Sequence, residues 1–279
     1  MEKLERPIIV PWDFSEVAEN AFQHAVIISK TIKREILLLH IVADEKSINS
    51  KNEELVKSAD TLSKEYGKKP FYIAKQGSIF KAIGDVAKEH KSEMIIMGTH
   101  GMKGAQKLFG SKALRVIVSS RIPFLIVQGK PTKEKFESIL LPIDFKTENK
   151  EKANWIYYLA RNFDAKFTIL KSRARDKGFR RKIISNIKYI ESFLKSHDVN
   201  YEIITSPGKQ AFKKEIIEYA KENEIDLILI MATRNIKIVD YLFGAPEQYL
   251  IANPYNLPVM AINPRPLIIK GGFRATGSV

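Results

Sequence analysis

The first notable absence in this 279-residue chain is cysteine, of which it has none. This absence excludes disulfide bridges, thiolate nucleophiles and metal sites with cysteine ligands. No hydrophobic run approaches the ~20 residues that span a membrane, and the amino terminus lacks the apolar core of a signal peptide. A soluble, cytoplasmic protein is therefore expected. Histidine is also scarce, and the five histidines show no spacing suited to a metal site or a proton relay: His24, His40, His90, His100 and His197.

Acidic residues are too few to balance the basic ones, 32 against 46, which gives a formal net charge of +14. Such a balance favours anionic partners, whether nucleotide, nucleic acid or an anionic membrane surface. The basic residues are spread along the chain, whereas nucleic-acid binders more often concentrate them on one element, so nucleic acid is not the expected partner. The densest basic run, from Lys171 to Lys182, is either a solvated loop and helix start or an anion-binding patch.

An internal repeat covers most of the chain. The segment IIVPWDFS, which begins at Ile8, corresponds to ILLPIDFK, which begins at Ile139. Further along, LFGSKA corresponds to LFGAPE, and RIPFLIVQ corresponds to NLPVMAIN. Repeats of this kind indicate copies of one folding unit. We therefore expect two domains, residues 1–130 and 131–265, followed by a tail, residues 266–279.

Within each copy, short β-branched runs alternate with longer segments of helical periodicity, which is typical of βαβ units. In the first copy the predicted strands read PIIVPW, EILLLHIV, PFYIAK, EMIIMG and PFLIVQ. Because they are nearly all apolar, they should be buried on both faces. The predicted helices cover about 15–31, 50–66, 78–90 and 111–120. The predicted fold class is α/β, with two tandem, doubly wound, five-stranded parallel sheets.

Four pieces of the chain resemble the universal stress protein family, in a tandem two-domain form, over residues 5–264. They are VPWDFS after the first strand, LLHIV in the second, MGTHG in the fourth, and GS followed by IPFLIV near the end of the first copy. The resemblance implies an adenine-nucleotide alpha-hydrolase-like fold with strand order 3-2-1-4-5 and, as in many members, ATP binding. In such a sheet, ligands bind where the strand order reverses, which here is between strands 1 and 4.

The family's nucleotide pattern is Gly, two residues, Gly, nine residues, Gly, then Ser or Thr. The residues of this chain that resemble the pattern are Gly98, Gly101, Gly110 and Ser111. Only eight residues separate Gly101 from Gly110, where the pattern has nine. Glycine lets the backbone approach phosphate, and a helix that begins at Ser111 would favour an anion at its amino terminus. Because the loop is one residue short, it is either a phosphate-binding loop or a glycine-rich turn kept for packing.

By the same resemblance, ATP or AMP, with Mg²⁺ accompanying the phosphates, is expected in the first copy. Asp13 would lie beside the adenosine or cap the helix at Ser15, and these two roles are compatible. Trp12 would either stack on the adenine or fill the sheet edge, and its position opposite Asp13 favours packing in the core. His100 is expected to be a polar loop residue and not a catalyst. The expected nucleotide-binding set is Pro11, Asp13, Ile41, Met97, Gly98, His100, Gly101, Gly110, Ser111 and Lys112.

The second copy lacks most of this pattern. Gly98 and Gly101 become Ala232 and Asn235, and Ser111 becomes Ala245, so the second copy is not expected to bind ATP. Each lost glycine adds a Cβ atom where phosphate would pass.

Three functions stay open. The first is a nucleotide-responsive regulator of the stress response, and the second is a dimerising interaction module whose loop is vestigial. The third is a binder of anions, nucleic acid or membrane surfaces. No catalytic motif is present, so we expect no enzyme activity beyond slow ATP hydrolysis. The last strands of the two copies are expected to pair within the chain as a pseudo-dimer, or between chains as a homodimer, and a protein partner of unknown kind is expected.

Overall fold

The computed structural model describes residues 4–99, 122–232 and 246–263. The predicted helix over 111–120 lies outside these ranges. In the first half of the chain, strands and helices alternate as the sequence predicts, and Ser15 and Ser78 occupy the positions before two of the helices. The elements are β1 (Ile8–Pro11), α1 (Glu16–Ile32), β2 (Ile36–Val42), α2 (Ser47–Tyr66), β3 (Phe71–Gln76), α3 (Ile79–Glu89), β4 (Met94–Gly98) and β5 (Phe124–Val127).

The second half of the chain repeats this order with one local difference. Where the first helix would begin, a 3₁₀ turn (Thr147–Glu151) precedes the α-helix. The described elements are β6 (Ser138–Ile143), α4 (Lys152–Phe163), β7 (Lys166–Lys171), α5 (Lys177–Lys195), β8 (Tyr201–Thr205), α6 (Phe212–Glu222), β9 (Leu227–Met231), α7 (Pro246–Ile251) and β10 (Val259–Ile262). None of the described helices combines the length and the apolar character that crossing a membrane requires.

The ten described strands belong to one sheet, in the order β3-β2-β1-β4-β5-β10-β9-β6-β7-β8. Each half has the predicted order 3-2-1-4-5, and strands within a half run parallel. The two five-stranded sheets are joined because β5 and β10 pair antiparallel, with Leu125 opposite Met260. The expected pairing within the chain is therefore present and covers an edge strand of each half, while association between chains stays a prediction.

Helices cover both faces of the sheet, which explains why the strands are apolar throughout. Helices α1, α2, α4 and α5 bury their apolar residues on one face, and α3, α6 and α7 on the other. The central strands β1, β4, β5, β9 and β10 are buried along most of their length, as predicted. The outer strands β3 and β8 are half-exposed, because each has a neighbour on one side only.

The two halves also meet through a buried carboxylate. Glu93 is nearly buried, and its Oε2 lies 2.7 Å from an Arg6 guanidinium nitrogen and 3.5 Å from Arg34 Nε. Tyr158, on α4 of the second half, lies beside the same Glu93. Burial and the negative charge of Glu93 raise the pKa of Tyr158, so the phenol stays protonated. This contact ties α4 to the first half of the sheet.

Candidate functional site

The carboxyl ends of β1 and β4 lie side by side at one edge of the sheet. The two strands pair through Ile8 with Met94 and Ile9 with Ile95, while β2 lies on the other side of β1. The strand order reverses at this point, which makes it the switch point where ligands bind in doubly wound sheets. Five of the predicted site residues are described and lie on β1, β2, β4 or just beyond β1: Pro11, Asp13, Ile41, Met97 and Gly98. The other five lie outside the described residues: His100, Gly101, Gly110, Ser111 and Lys112.

Asp13 follows β1 and organises the turn into α1. Its Oδ1 accepts a hydrogen bond from the backbone N–H of Ser15 at 3.1 Å and another from the Ser15 hydroxyl. Ser15 is the N-cap of α1, and its Oγ accepts from the Ala18 N–H at 3.3 Å. The predicted capping role of Asp13 is therefore confirmed. The residue is also solvent-exposed, so its carboxylate remains accessible to a ligand.

Trp12 packs in the core, as its position opposite Asp13 predicts. The indole is nearly buried and meets Phe22 edge-on, with ring centroids 6.5 Å apart. In the second half Ile143, which is fully buried, takes the same place. Trp12 is therefore part of the core beneath the candidate site, and it is not an exposed stacking platform.

Sequence reasoning missed a group of aromatic and cationic side chains beside Asp13. Phe14 is 37% exposed and has a φ of 65°, a left-handed conformation that is rare for an aromatic residue. Its ring lies 4.9 Å from that of His40 and 5.3 Å from Lys51 Nζ. His40 Nδ1 donates to the Trp12 carbonyl at 2.7 Å, which fixes the imidazole orientation. The one available signal was a histidine in the otherwise apolar strand ILLLHIV.

Gly98, at the end of β4, is pressed against the first turn of α1. A Cβ atom built at this position would lie 1.9 Å from the carbonyl oxygen of Val17 and 2.4 Å from its carbonyl carbon. Backbone atoms cannot move aside as a flexible side chain can. Packing by itself therefore requires glycine at this position, with or without a ligand. Packing therefore accounts for Gly98, and phosphate binding by the loop stays a prediction.

In the second half, the turn that follows β6 is held by hydrogen bonds from side chains. Asp144 Oδ1 accepts from Asn149 Nδ2 at 2.6 Å and from the backbone N–H of Lys146 at 2.9 Å. From α5, Asn186 Nδ2 donates to the carbonyls of Asp144 and Lys146 at 2.9 and 2.8 Å. Both asparagines are buried. Lys146 also forms an ion pair with Glu247, at 3.3 Å. Where Asp13 is left accessible, Asp144 is held within an internal network.

A buried lysine lies behind that network. Lys152, the first residue of α4, is 2% exposed, and its ammonium donates to the carbonyl of Pro142 on β6. Burial lowers the pKa of this amine from 10.5 to about 7, although the neighbouring Asp144 carboxylate opposes the change. The amine and its neighbours occupy the carboxyl end of β6. The second copy thus differs from the first in this turn as well as in its lost glycines.

Comparison with known proteins connects this geometry to one family. Residues 5–128 match the model of the universal stress protein family. Universal stress protein MJ0577 of Methanocaldococcus jannaschii is 30% identical over 162 residues, which cover 47% of this chain and 99% of that protein. MJ0531 of the same organism is 29% identical over 149 residues, or 48% of this chain and 87% of that protein.

A solved structure also matches the chain along nearly its whole length. The crystal structure of a universal stress protein from Archaeoglobus fulgidus superposes with a TM-score of 0.71 at 17% identity. The superposition covers 93% of this chain and 98% of that one. At this identity the match establishes the fold, including its extension over both halves, and carries no information on the ligand.

Proposed function

Since the chain belongs to the universal stress protein family, we propose that its first half binds ATP or AMP and regulates the stress response through that ligand. In this proposal, residues 1–130 are the nucleotide-binding unit, residues 131–265 are its structural partner, and residues 266–279 form a tail. The second half does not bind nucleotide. No side chain takes a catalytic role, and any hydrolysis of ATP is slow.

The observation that carries the proposal is an accessible carboxylate at the switch point of the sheet. Asp13 is exposed just beyond the end of β1, the strand that pairs with β4, where a ribose hydroxyl could donate to it. Beside it, Phe14 and His40 offer aromatic surface, and the Lys51 ammonium, which is paired with Glu54, lies over the Phe14 ring. The left-handed backbone of Phe14 is costly, and such costs are found most often at functional sites.

The described residues fit the nucleoside end of the ligand better than its phosphates. Any phosphate cradle would begin at Gly98 and continue through the loop to Ser111, as the family pattern implies. Among residues 4–99, 122–232 and 246–263 there is no group of three or more His, Asp or Glu side chains that could hold a metal ion. In this proposal, magnesium arrives with the phosphates of ATP.

Replacing Asp13 with alanine should weaken ATP binding at least about tenfold, because a hydrogen bond to a charged acceptor is lost. Isothermal titration calorimetry with millimolar ATP and magnesium measures the effect. The matched control is Asp144→Ala at the corresponding position of the second half, which should leave ATP affinity within about twofold of wild type. Thermal denaturation of both variants separates loss of binding from loss of the Asp13 cap or the Asp144 network. Absence of heat and of any thermal shift in the wild-type protein would rule out the proposal.

A second candidate function is an interaction module that has lost its ligand. The packing of Gly98 against Val17 favours it, since this glycine is explained without phosphate. Inserting one glycine between Gly101 and Gly110 restores the loop length of the family pattern. If wild-type protein does not bind ATP and the lengthened variant does, the second candidate is correct. If wild type binds and the insertion changes affinity little, the short loop is functional as it stands.

A further inference from the structure

A concentration of positive charge lies on the second half of the chain, on α5 and the loop before it. Most of these residues belong to the densest basic run of the sequence, and the fold leaves all of them exposed on the surface of the helix and the loop. We call this surface the basic face. All of its defining cations are solvent-exposed: Arg175, Lys177, Arg180, Arg181, Lys182 and Lys188.

The cations of the basic face have no carboxylate partners within 4 Å among the residues that the structure describes. On α2, the helix at the same place in the first half, Lys51 is paired with Glu54 and Asp60 with Lys69. Counted over each helix, α2 has three lysines against four acidic residues, whereas α5 has six basic residues against one acidic residue. Two copies of one element thus have opposite net charges, so the charge on α5 is not a requirement of the fold.

The positions of the cations also work against helix stability. The first turn of α5 contains no acidic residue and begins with Lys177, followed closely by Arg180 and Arg181. The amino end of a helix carries a partial positive charge, so cations there repel it as well as one another. Asp176 compensates only in part, as the N-cap that accepts from the Phe179 N–H at 2.8 Å. A local arrangement that opposes stability is expected where it serves binding.

Exposed aromatic rings lie among these charges. Phe179 is 42% exposed and stacks on Phe145, with ring centroids 4.2 Å apart and planes 14° from parallel. Further along the helix, Tyr189 is 49% exposed, and Lys150 lies over its ring with Nζ 5.5 Å from the centroid. From Lys177 to Tyr189 the helix rises about 18 Å, which is enough to follow several phosphates of one strand.

We propose that the basic face binds single-stranded nucleic acid. Cations that follow a sugar–phosphate backbone, together with exposed rings on which unpaired bases stack, are the two components of such binding. An anionic membrane fits less well, because the continuous apolar stripe of α5 is buried against the sheet and cannot insert. The proposal goes beyond the nucleotide site and does not depend on it, since the two lie on different halves of the chain.

Fluorescence anisotropy with a labelled oligouridylate of about 20 nucleotides tests the proposal on the full chain. Binding should weaken as salt rises from about 50 to 200 mM, with a logarithmic slope of about −3 for four phosphate contacts. The double variant Arg181→Glu/Lys188→Glu should bind at least about tenfold more weakly and reduce the slope by about 1.4. The control Lys57→Glu/Lys64→Glu makes the same change in net charge on α2 and should leave affinity within about threefold. Equal loss in both variants would overturn the assignment to α5.

Two further measurements test the single-strand specificity. Tyr189→Ala should weaken oligouridylate binding about tenfold and leave binding of a duplex of equal length unchanged, because stacking needs unpaired bases. The proposal would be contradicted if the protein bound the single strand and the duplex with equal affinity and Tyr189→Ala changed neither. Binding to vesicles of phosphatidylcholine with phosphatidylserine is measured as well. Binding to these vesicles without binding to oligouridylate would assign the basic face to a membrane surface and reject nucleic acid.

Discussion

Replacing Lys152 with methionine should raise the free energy of unfolding by about 3 kcal/mol at pH 7. Burial holds the pKa of this amine at about 7 in the folded protein, against 10.5 when it is exposed. At pH 7 the amine is protonated in the unfolded chain, but it has lost its proton in about half of the folded molecules. The difference in pKa lowers the free energy of unfolding by about 4 kcal/mol. Methionine keeps the aliphatic volume and removes the penalty. It also forfeits the hydrogen bond to the Pro142 carbonyl, which offsets the gain by about 1 kcal/mol.

The advantage of Lys152→Met changes with pH because the amine of Lys152 has a lower pKa in the folded chain than in the unfolded chain. Between about pH 7 and 10.5, unfolding of the wild-type protein takes up a proton, so its stability rises with pH relative to the variant. The difference should therefore be largest near pH 6 and should vanish or reverse near pH 10. Urea denaturation at three pH values measures it, with the exposed Lys214→Met as control, for which no such trend is expected. A variant destabilised equally at every pH would mean that Lys152 stays charged, paired with Asp144.

Much of the fold follows from the sequence because its signals are local and repeated. Two copies of strand–helix alternation, with all-apolar central strands, restrict the chain to a covered parallel sheet. Ser15 predicts the start of α1 because a hydroxyl in that place satisfies a free backbone N–H. At the candidate site, Asp13 and Gly98 could be located because both terminate strands, and strand ends in a parallel sheet share one edge.

What the sequence does not reveal depends on contacts between distant segments. Lys152 and Lys150 lie two residues apart in a polar stretch, yet one amine is buried beneath β6 and the other covers Tyr189. Only the direction in which each side chain leaves the turn separates them. The basic run is visible in the sequence, but helix geometry is needed to bring Arg181 and Lys188, seven residues apart, onto one face. The role of Gly98 is hidden because its requirement comes from Val17, 81 positions earlier in the chain.

Replacing Gly98 with alanine should destabilise the protein by about 3 kcal/mol or more. The new Cβ atom would overlap the Val17 carbonyl, so α1 would have to move away from β4 and disturb the core around Phe22. The effect should appear without any nucleotide, since it arises from packing and not from a phosphate. Chemical denaturation of the ligand-free protein measures it directly. If Gly98→Ala were as stable as wild type and lost only ATP binding, the close contact with α1 would be wrong.

Two matched substitutions separate this clash from a general effect of adding or removing a methyl group. Gly84 lies on α3 with nothing within 4 Å of a built Cβ, so Gly84→Ala should stabilise the protein by about 0.5–1 kcal/mol. In the second half, Ala232 stands where Gly98 does and is buried, and a 3₁₀ turn takes the place of the first helical turn of α1. Ala232→Gly should therefore cost about 1 kcal/mol through lost packing and added chain entropy. Opposite signs for Gly98→Ala and Gly84→Ala would establish that the glycine at the end of β4 is a steric requirement of this half.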